Sequence, residues 1–186
     1  MGDKMKLLEQ KDCIFLMVDI QERLLNSVFN KDILAKKAEI VAEASTILDI
    51  PTIVTEQYPK GLGATVSNVK DKLSNETKYF EKTTFNALQD ESLLAELKSL
   101  NRKQVLVAGI ETHICVYQTV LALINAGFEV TLIKDCCGSR SEEEYLQALD
   151  VIKTLGANIK TTEMILFELL KGAKHPNFKE IQALIK

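Results

Sequence analysis

The sequence lacks several features that would place a protein in a functional class directly. It has no tryptophan, only 3 prolines and 2 histidines, and no apolar run of the length that crosses a membrane. The net charge of −3 arises from 23 basic and 26 acidic residues, without the basic face that binds nucleic acid. We therefore expect neither a nucleic-acid partner nor a membrane partner.

The four cysteines match neither a disulfide framework nor a zinc-binding pattern. Cys13 and Cys115 are isolated, and Cys136 and Cys137 are adjacent, which is an awkward geometry for a simple bridge. The first ten residues contain no apolar signal core. These observations predict a reduced, cytoplasmic protein.

Short apolar runs alternate with amphipathic segments along the 186 residues, which is a length typical of one domain. The runs predict strands at 12–18, 52–55, 77–81, 104–108, 129–134 and 157–161. Helices are predicted at 31–48, 90–100, 112–126, 141–155, 162–170 and 176–186. We expect a loop at 56–63, a turn at 135–139, and helix caps at Ser141 and Thr162. The alternation predicts an α/β protein with a mainly parallel sheet.

Three residues with reactive or charged side chains follow predicted strands. Cys115 lies in the first turn of a helix, just after the glycine break at Gly109, where free N–H groups favour a thiolate. Asp19 ends a buried strand, a position that suits either a ligand-binding carboxylate or a helix N-cap. Lys82 follows another strand. From the residues alone, a packing cysteine and a surface lysine remain open as alternatives.

The segments around these three residues resemble one known family. Val18-Asp-Ile-Gln21, Glu81-Lys-Thr-Thr-Phe85 and Gly109-Ile-Glu-Thr-His-Ile-Cys-Val116 are similar to the isochorismatase-like cysteine hydrolases, which include nicotinamidases and N-carbamoylsarcosine amidase. The resemblance extends over residues 10–172, with 173–186 as a C-terminal helical extension of the same domain. It implies a three-layer α/β/α, Rossmann-like fold with six strands in the order 3-2-1-4-5-6.

The resemblance also implies a catalytic triad of Asp19, Lys82 and Cys115 and a cis peptide bond between Ile110 and Glu111. The N–H groups of Glu111 and Cys115 would then form an oxyanion hole. With Lys82 favouring the thiolate and Asp19 moving the proton, Cys115 would attack a small amide. The expected reaction is hydrolysis of a C–N bond of a small-molecule substrate through a thioester.

Two departures from the family pattern narrow the expected substrate. Nicotinamidases hold a metal ion with an Asp-x-His pair after the second strand, whereas this chain has Thr55-Glu-Gln-Tyr58 there, without histidine. We therefore predict no metal and no other cofactor, and nicotinamide loses support as the substrate. Enzymes that cleave isochorismate lack the cysteine, so Cys115 favours an amide.

The residues that surround the predicted triad have open roles. Gln21 is a candidate for the substrate pocket or for a solvated helix start, Gln57 and Tyr58 are pocket candidates, and Phe85 is a pocket wall or, slightly favoured, a core residue. We expect His113 to be structural, and the Glu111 carboxylate to pair with a loop cation or to line a subunit interface. The resemblance further predicts a homo-oligomer, either a dimer or a tetramer.

Two alternative functions also remain open. The chain would be a catalytically idle or oxidant-sensitive interaction protein of the same fold if Cys115 were an ordinary thiol. It would be an ester or thioester hydrolase if the same three residues acted on a different carbonyl compound.

Overall fold

One six-stranded parallel sheet forms the centre of the protein, in a computed structural model that describes residues 6–186. The strands are β1 (Cys13–Val18), β2 (Thr52–Gln57), β3 (Lys78–Lys82), β4 (Gln104–Ile110), β5 (Glu129–Gly138) and β6 (Asn158–Lys160). Their order is β3-β2-β1-β4-β5-β6, and neighbouring strands are parallel. This confirms the predicted α/β fold and strand order.

Helices cover both faces of the sheet. They are α1 (Glu22–Leu25), α2 (Lys31–Ile47), α3 (Pro59–Leu62), α4 (Ser67–Lys70), α5 (Glu91–Ser99), α6 (Tyr117–Asn125), α7 (Glu142–Thr154), α8 (Thr162–Leu170) and α9 (Phe178–Leu184). Within the described residues 6–186, no helix combines the length and the apolar character that a membrane crossing needs.

Strand β1 has an uninterrupted apolar sequence because both of its faces are buried. Successive side chains of a strand point to opposite faces. Cys13, Phe15 and Met17 therefore join a core with α2, α8 and α9. Ile14, Leu16 and Val18 join a second core with α5, α6 and α7. The central strand thus links the two layers of helices and brings Asp19 to the edge of the sheet.

Two predicted irregular segments are regular in the structure. The expected turn at 135–139 is wrong, because β5 continues to Gly138. After a register shift, Cys137 pairs with Gly109 and Gly138 with Ile110. The expected loop at 56–63 is also partly wrong. Glu56 and Gln57 belong to β2, where they pair with β3, and α3 begins at Pro59, which suits the first turn of a helix.

Three candidate cap residues, Ser141, Thr162 and Asp19, show how far helix ends could be predicted. Ser141 caps α7 as expected, since its hydroxyl accepts a hydrogen bond from the Glu144 N–H at 3.2 Å. Thr161, and not Thr162, caps α8. Thr162 instead donates its N–H and hydroxyl to Asp135. Asp19 does not cap α1, since Gln21 is the N-cap residue of that helix, and Asp19 itself adopts a left-handed backbone conformation with φ of 53°.

Candidate active site

The carboxyl ends of β1, β3 and β4 meet at one edge of the sheet, because parallel strands all end on the same side. Asp19 directly follows β1, Lys82 is the last residue of β3, and Cys115 lies five residues beyond the end of β4. The strand order reverses between β1 and β4. Such a topological switch point is where open α/β sheets place their ligands.

Gly109 allows β1 and β4 to approach closely at this edge. A Cβ atom at position 109 would lie 2.3 Å from the Val18 carbonyl oxygen, which is too close for any other residue. The peptide bond between Ile110 and Glu111 is cis. A π-helical turn, Thr112–Val116, then leads into α6 and carries Cys115, which is 6% exposed.

Asp19 and Lys82 form a buried ion pair. Lys82 Nζ lies 2.6 Å from Asp19 Oδ2, and their side chains are 3% and 0% exposed. Lys82 Nζ also donates to Gln57 Oε1 at 2.7 Å and to the Thr84 carbonyl oxygen at 3.1 Å. An ammonium group has three protons, so each proton has an acceptor. Lys82 is therefore a fixed cation in this arrangement.

Asp19 is held by a residue that sequence reasoning missed. The Thr55 hydroxyl donates to Asp19 Oδ1 at 2.7 Å, and the Asp19 N–H donates to the Thr55 carbonyl oxygen at 3.1 Å. Thr55 is fully buried at the register position of Val18. A threonine in an apolar strand, next to the strand that ends in Asp19, is the only sequence signal for this contact.

Gln57 accepts a hydrogen bond from Lys82 of the ion pair, and Gln21 holds Gln57 in place. Gln21 Oε1 accepts from the Gln57 N–H at 2.7 Å, and Gln21 Nε2 donates to the carbonyl oxygens of Gln57 and Gly63. Gln57 Nε2 donates to the Thr83 carbonyl oxygen, which turns Gln57 Oε1 toward Lys82. Gln21 is fully buried, so the alternative of a solvated helix start is wrong, and its side-chain amide is occupied by main-chain groups.

The electrostatic state of Cys115 differs from the expectation. Burial, and next the negative charge of Asp19, raise the pKa of the Cys115 thiol to about 12, against the lowering effect of Lys82. The expected thiolate is therefore wrong for this arrangement, because burial and the negative charge of Asp19 outweigh the charge of Lys82. The thiol is protonated, with the Asp19 carboxylate as a nearby base.

Two further predicted site residues, Phe85 and Tyr58, lie at the protein surface. Phe85 is 55% exposed, so the favoured core position is wrong, and Tyr58 is 56% exposed. A surface depression lined by Tyr58, Thr83 and neighbouring residues reaches Lys82. His113 has the expected structural contact, since its Nδ1 lies 3.0 Å from the hydroxyl of the buried Ser139.

The residues at the end of β2 do not fit a metal ion. Glu56 Oε1 accepts hydrogen bonds from the N–H and the hydroxyl of Thr65, and Gln57 Oε1 accepts from Lys82. Among residues 6–186, no group of three or more His, Cys, Asp or Glu side chains is arranged to hold a metal. We derive no chemistry from a metal at this position.

Comparisons with known proteins agree with the geometry of the fold. The family model described as the isochorismatase domain matches residues 13–164. Isochorismatase domain-containing protein 2 of Danio rerio is 38% identical over 96% of this chain and 89% of its own length. A solved Caenorhabditis elegans structure described as MAR1 ribonuclease is 34% identical, with a TM-score of 0.90, over 97% of this chain and 92% of that chain.

A more distant solved structure supports the fold alone. YcaC from Escherichia coli, described as an octameric hydrolase of unknown specificity, is 24% identical with a TM-score of 0.88. The match covers 98% of this chain and 97% of the YcaC chain. From the family model, the curated relatives and the sheet order together, the chain belongs to the isochorismatase domain family and has its hydrolase fold.

Proposed function

We propose that the protein hydrolyses a C–N bond of a small amide, with Cys115 as nucleophile, Asp19 as proton carrier and Lys82 as the fixed cation beside it. The observation that carries this proposal is the buried Asp19–Lys82 pair, with its 2.6 Å contact, at the same sheet edge as Cys115. A buried ion pair contributes little net stability. Its position beside a reduced thiol is better explained by proton transfer than by folding.

The first half of the reaction forms a thioester. Asp19 takes the thiol proton while Cys115 Sγ attacks the amide carbonyl carbon, and the carbonyl oxygen becomes an oxyanion. The N–H groups of Glu111, the residue before the π-helical turn, and of Cys115 within it are its proposed donors, because N–H groups at the start of a helix lack partners within that helix. The C–N bond then breaks, and Asp19 gives its proton to the leaving amine.

The second half releases the acid. Asp19 removes a proton from water, and the resulting hydroxide attacks the thioester carbonyl. The C–S bond breaks, and the proton returns from Asp19 to the Cys115 sulfur. This cycle starts from a thiol and ends with a thiol, which agrees with the raised pKa of Cys115, about 12.

The raised pKa also helps to choose between the proposal and the idle or oxidant-sensitive alternative. Oxidant-sensing cysteines have a low pKa and are accessible to solvent. Cys115 is 6% exposed, and burial and Asp19 raise its pKa. Both properties favour a nucleophile that is deprotonated only when a substrate is in place.

Incubation with a panel of small amides and the matching esters tests the proposal. We expect release of ammonia or amine, and a thioester on Cys115 that hydroxylamine converts to a hydroxamate. Cys115→Ala should abolish both. Cys13→Ala is the matched control, because Cys13 is equally buried but lies at the opposite end of β1. Turnover by Cys115→Ala would refute the proposal, and cleavage of esters alone would favour an ester hydrolase.

The name of the Caenorhabditis elegans relative makes RNA the second substrate to test. Against RNA, the chain has a net charge of −3, and the three protons of Lys82 already have acceptors. Binding of RNA depends mainly on cations that contact phosphates. Cleavage of a single-stranded RNA that is lost in Cys115→Ala and Asp19→Asn would replace our proposal.

Self-association stays a prediction. The expected homo-oligomer, a dimer or a tetramer, is measured directly as a molar mass by light scattering of the eluting protein. A mass of one chain, 20.8 kDa, would contradict it.

A further inference from the structure

Glu111 places a carboxylate beside the proposed oxyanion hole. It is the residue that precedes the π-helical turn of Cys115, and its carbonyl oxygen accepts from the N–H groups of Ile114 and Val116. Its side chain is 13% exposed, and Oε1 lies 2.8 Å from Arg140 Nε. This contact is ionic and not a well-directed hydrogen bond, because Oε1 is buried without a hydrogen-bond donor aligned to it.

The two members of this ion pair differ in their surroundings. The Glu111 carboxylate is enclosed, whereas the Arg140 side chain is 62% exposed. The main chain just before Arg140 is fixed, since Ser139 is buried, contacts His113, and accepts a hydrogen bond from the Phe29 N–H. The guanidinium group can therefore move into solvent without any change in the backbone, while the carboxylate stays in place.

The carboxylate acts on the nucleophile. Burial and the charge of Asp19 are the main causes of the raised pKa of Cys115, and the charge of Glu111 adds a smaller contribution, so this carboxylate lies within electrostatic reach of the sulfur. An oxyanion that forms next to Cys115 would be repelled by the same charge. A cation near Glu111 removes this repulsion. Arg140 supplies that cation in the present arrangement, and a cationic group on the substrate would supply it equally well.

We propose that Glu111 is a specificity-determining residue that selects substrates carrying a cationic group, and that Arg140 moves aside when such a substrate binds. The substrate class is then a small amide with an amino or guanidino group near its carbonyl carbon. The amide part rests on the proposed function, whereas the charge preference rests on the enclosed Glu111 carboxylate and its ion pair with the exposed Arg140. A neutral amide would leave the Arg140 pair intact, and an anionic amide would be repelled.

Charged thiol reagents test the preference without any need for hydrolysis. In a methanethiosulfonate, the Cys115 thiolate attacks the sulfenyl sulfur, a disulfide forms and methanesulfinate leaves. We would compare the reagent with a trimethylammonium group against the one with a sulfonate group, using Cys115→Ala to subtract reaction elsewhere. Because both reagents consume the same thiolate, the ratio of their rates cancels any change in the pKa of Cys115.

Two variants should change this ratio in opposite directions. Glu111→Gln keeps the shape and removes the charge, and we expect the cation-to-anion ratio to fall roughly tenfold. Arg140→Gln removes the competing cation, and we expect the ratio to rise. An unchanged ratio in Glu111→Gln would overturn the inference. So would an equal fall in both variants, which is what a purely structural ion pair predicts.

Cationic, neutral and anionic amides separate this inference from the proposed function. Glycinamide, propionamide and succinamate serve as the three probes. If none is hydrolysed while the reagent ratio still follows Glu111, the charge selection stands and the hydrolase proposal fails. If they are hydrolysed without charge preference, and the ratio ignores Glu111, the charge selection alone is overturned.

Discussion

At the scale of single residues, the pKa of the Cys115 thiol depends on burial, which raises it most, and on two opposite charges. Asp19 raises its pKa and Lys82 lowers it. In the wild-type protein, with a pKa of about 12, the thiolate fraction and the iodoacetamide labelling rate should rise roughly tenfold per pH unit between pH 7 and 10. An ordinary thiol would instead level off above its pKa near 8.5.

Asp19→Asn and Lys82→Met should shift this labelling in opposite directions. Removal of the Asp19 charge lowers the pKa of Cys115, so Asp19→Asn labels faster at pH 8 although it cannot hydrolyse amides. Removal of the Lys82 charge raises the pKa, so Lys82→Met labels more slowly. Stopped-flow labelling with mass spectrometry measures both rates.

A circular-dichroism spectrum is the control for folding in both variants, because breaking a buried ion pair costs about 3–5 kcal/mol. Slower labelling in Asp19→Asn would contradict the expectation that the charge of Asp19 limits labelling by raising the pKa of Cys115. It would mean that the carboxylate assists deprotonation of the thiol even toward iodoacetamide.

Gln57 should act through Lys82 and not on the substrate. Gln57→Leu leaves one proton of the buried Lys82 ammonium without its 2.7 Å acceptor, which costs about 1–3 kcal/mol of stability. We expect kcat to fall and KM to change little, because the lysine is no longer held. Gln147→Leu is the matched control, since Gln147 is an exposed glutamine on α7, outside the depression that reaches Lys82. A change confined to KM would instead indicate direct substrate contact.

At the scale of elements, the close approach of β1 and β4 positions the two segments that carry Asp19 and Cys115. Gly109→Ala would place a Cβ atom 2.3 Å from the Val18 carbonyl oxygen and 2.7 Å from Val18 Cβ. We expect a loss of about 3 kcal/mol or more in the free energy of unfolding, measured by urea denaturation. Gly172→Ala is the control, because nothing lies within 4 Å of its added Cβ. Equal stability of the two variants would refute the close approach.

The elements that the sequence predicted well are those with a strong hydrophobic pattern. Strands β1 and β4 were predicted because buried parallel strands are apolar throughout, and α2 was predicted within one residue at its end. The edge strands β3 and β6 are less buried and carry a weaker hydrophobic pattern. The triad residues stand out because each one follows a predicted strand. This part of the site can be predicted from the sequence, because a residue that follows a parallel strand in the sequence also lies at a known edge of the folded sheet.

The parts that the sequence did not predict depend on contacts between distant segments. Gln21 looks like a surface residue until Gln57, 36 positions away, supplies its partners. The end of β5 looks like a turn because Cys136 and Cys137 precede a glycine, yet β4 extends it by pairing. The pKa of Cys115 is raised and not lowered, because burial and the charge of Asp19 outweigh the charge of Lys82, and only the folded chain buries the thiol and brings these groups together.

At the scale of the whole molecule, the C-terminal segment completes the core on one face of the sheet. Helix α9 packs against α2, and Ile181 is fully buried in the same core as Phe15 and Met17. The segment 173–186 is predicted to belong to the same domain as 10–172. If so, a defect at Ile181 must weaken the fold as a unit, although it lies far along the chain from the proposed site.

Ile181→Ala tests this prediction. Removal of a large buried side chain typically costs about 2–5 kcal/mol, and a single domain should lose this amount in one cooperative transition. Far-ultraviolet circular dichroism and protection of Cys115 from labelling should then report the same shifted urea midpoint. Lys179→Ala, at an exposed position of the same helix, should leave the midpoint unchanged. A separate early transition in Ile181→Ala, with an unchanged urea midpoint for the protection of Cys115, would contradict the predicted single domain. It would show that α9 folds independently, because the buried contacts of Ile181 would then contribute nothing to the stability of the sheet.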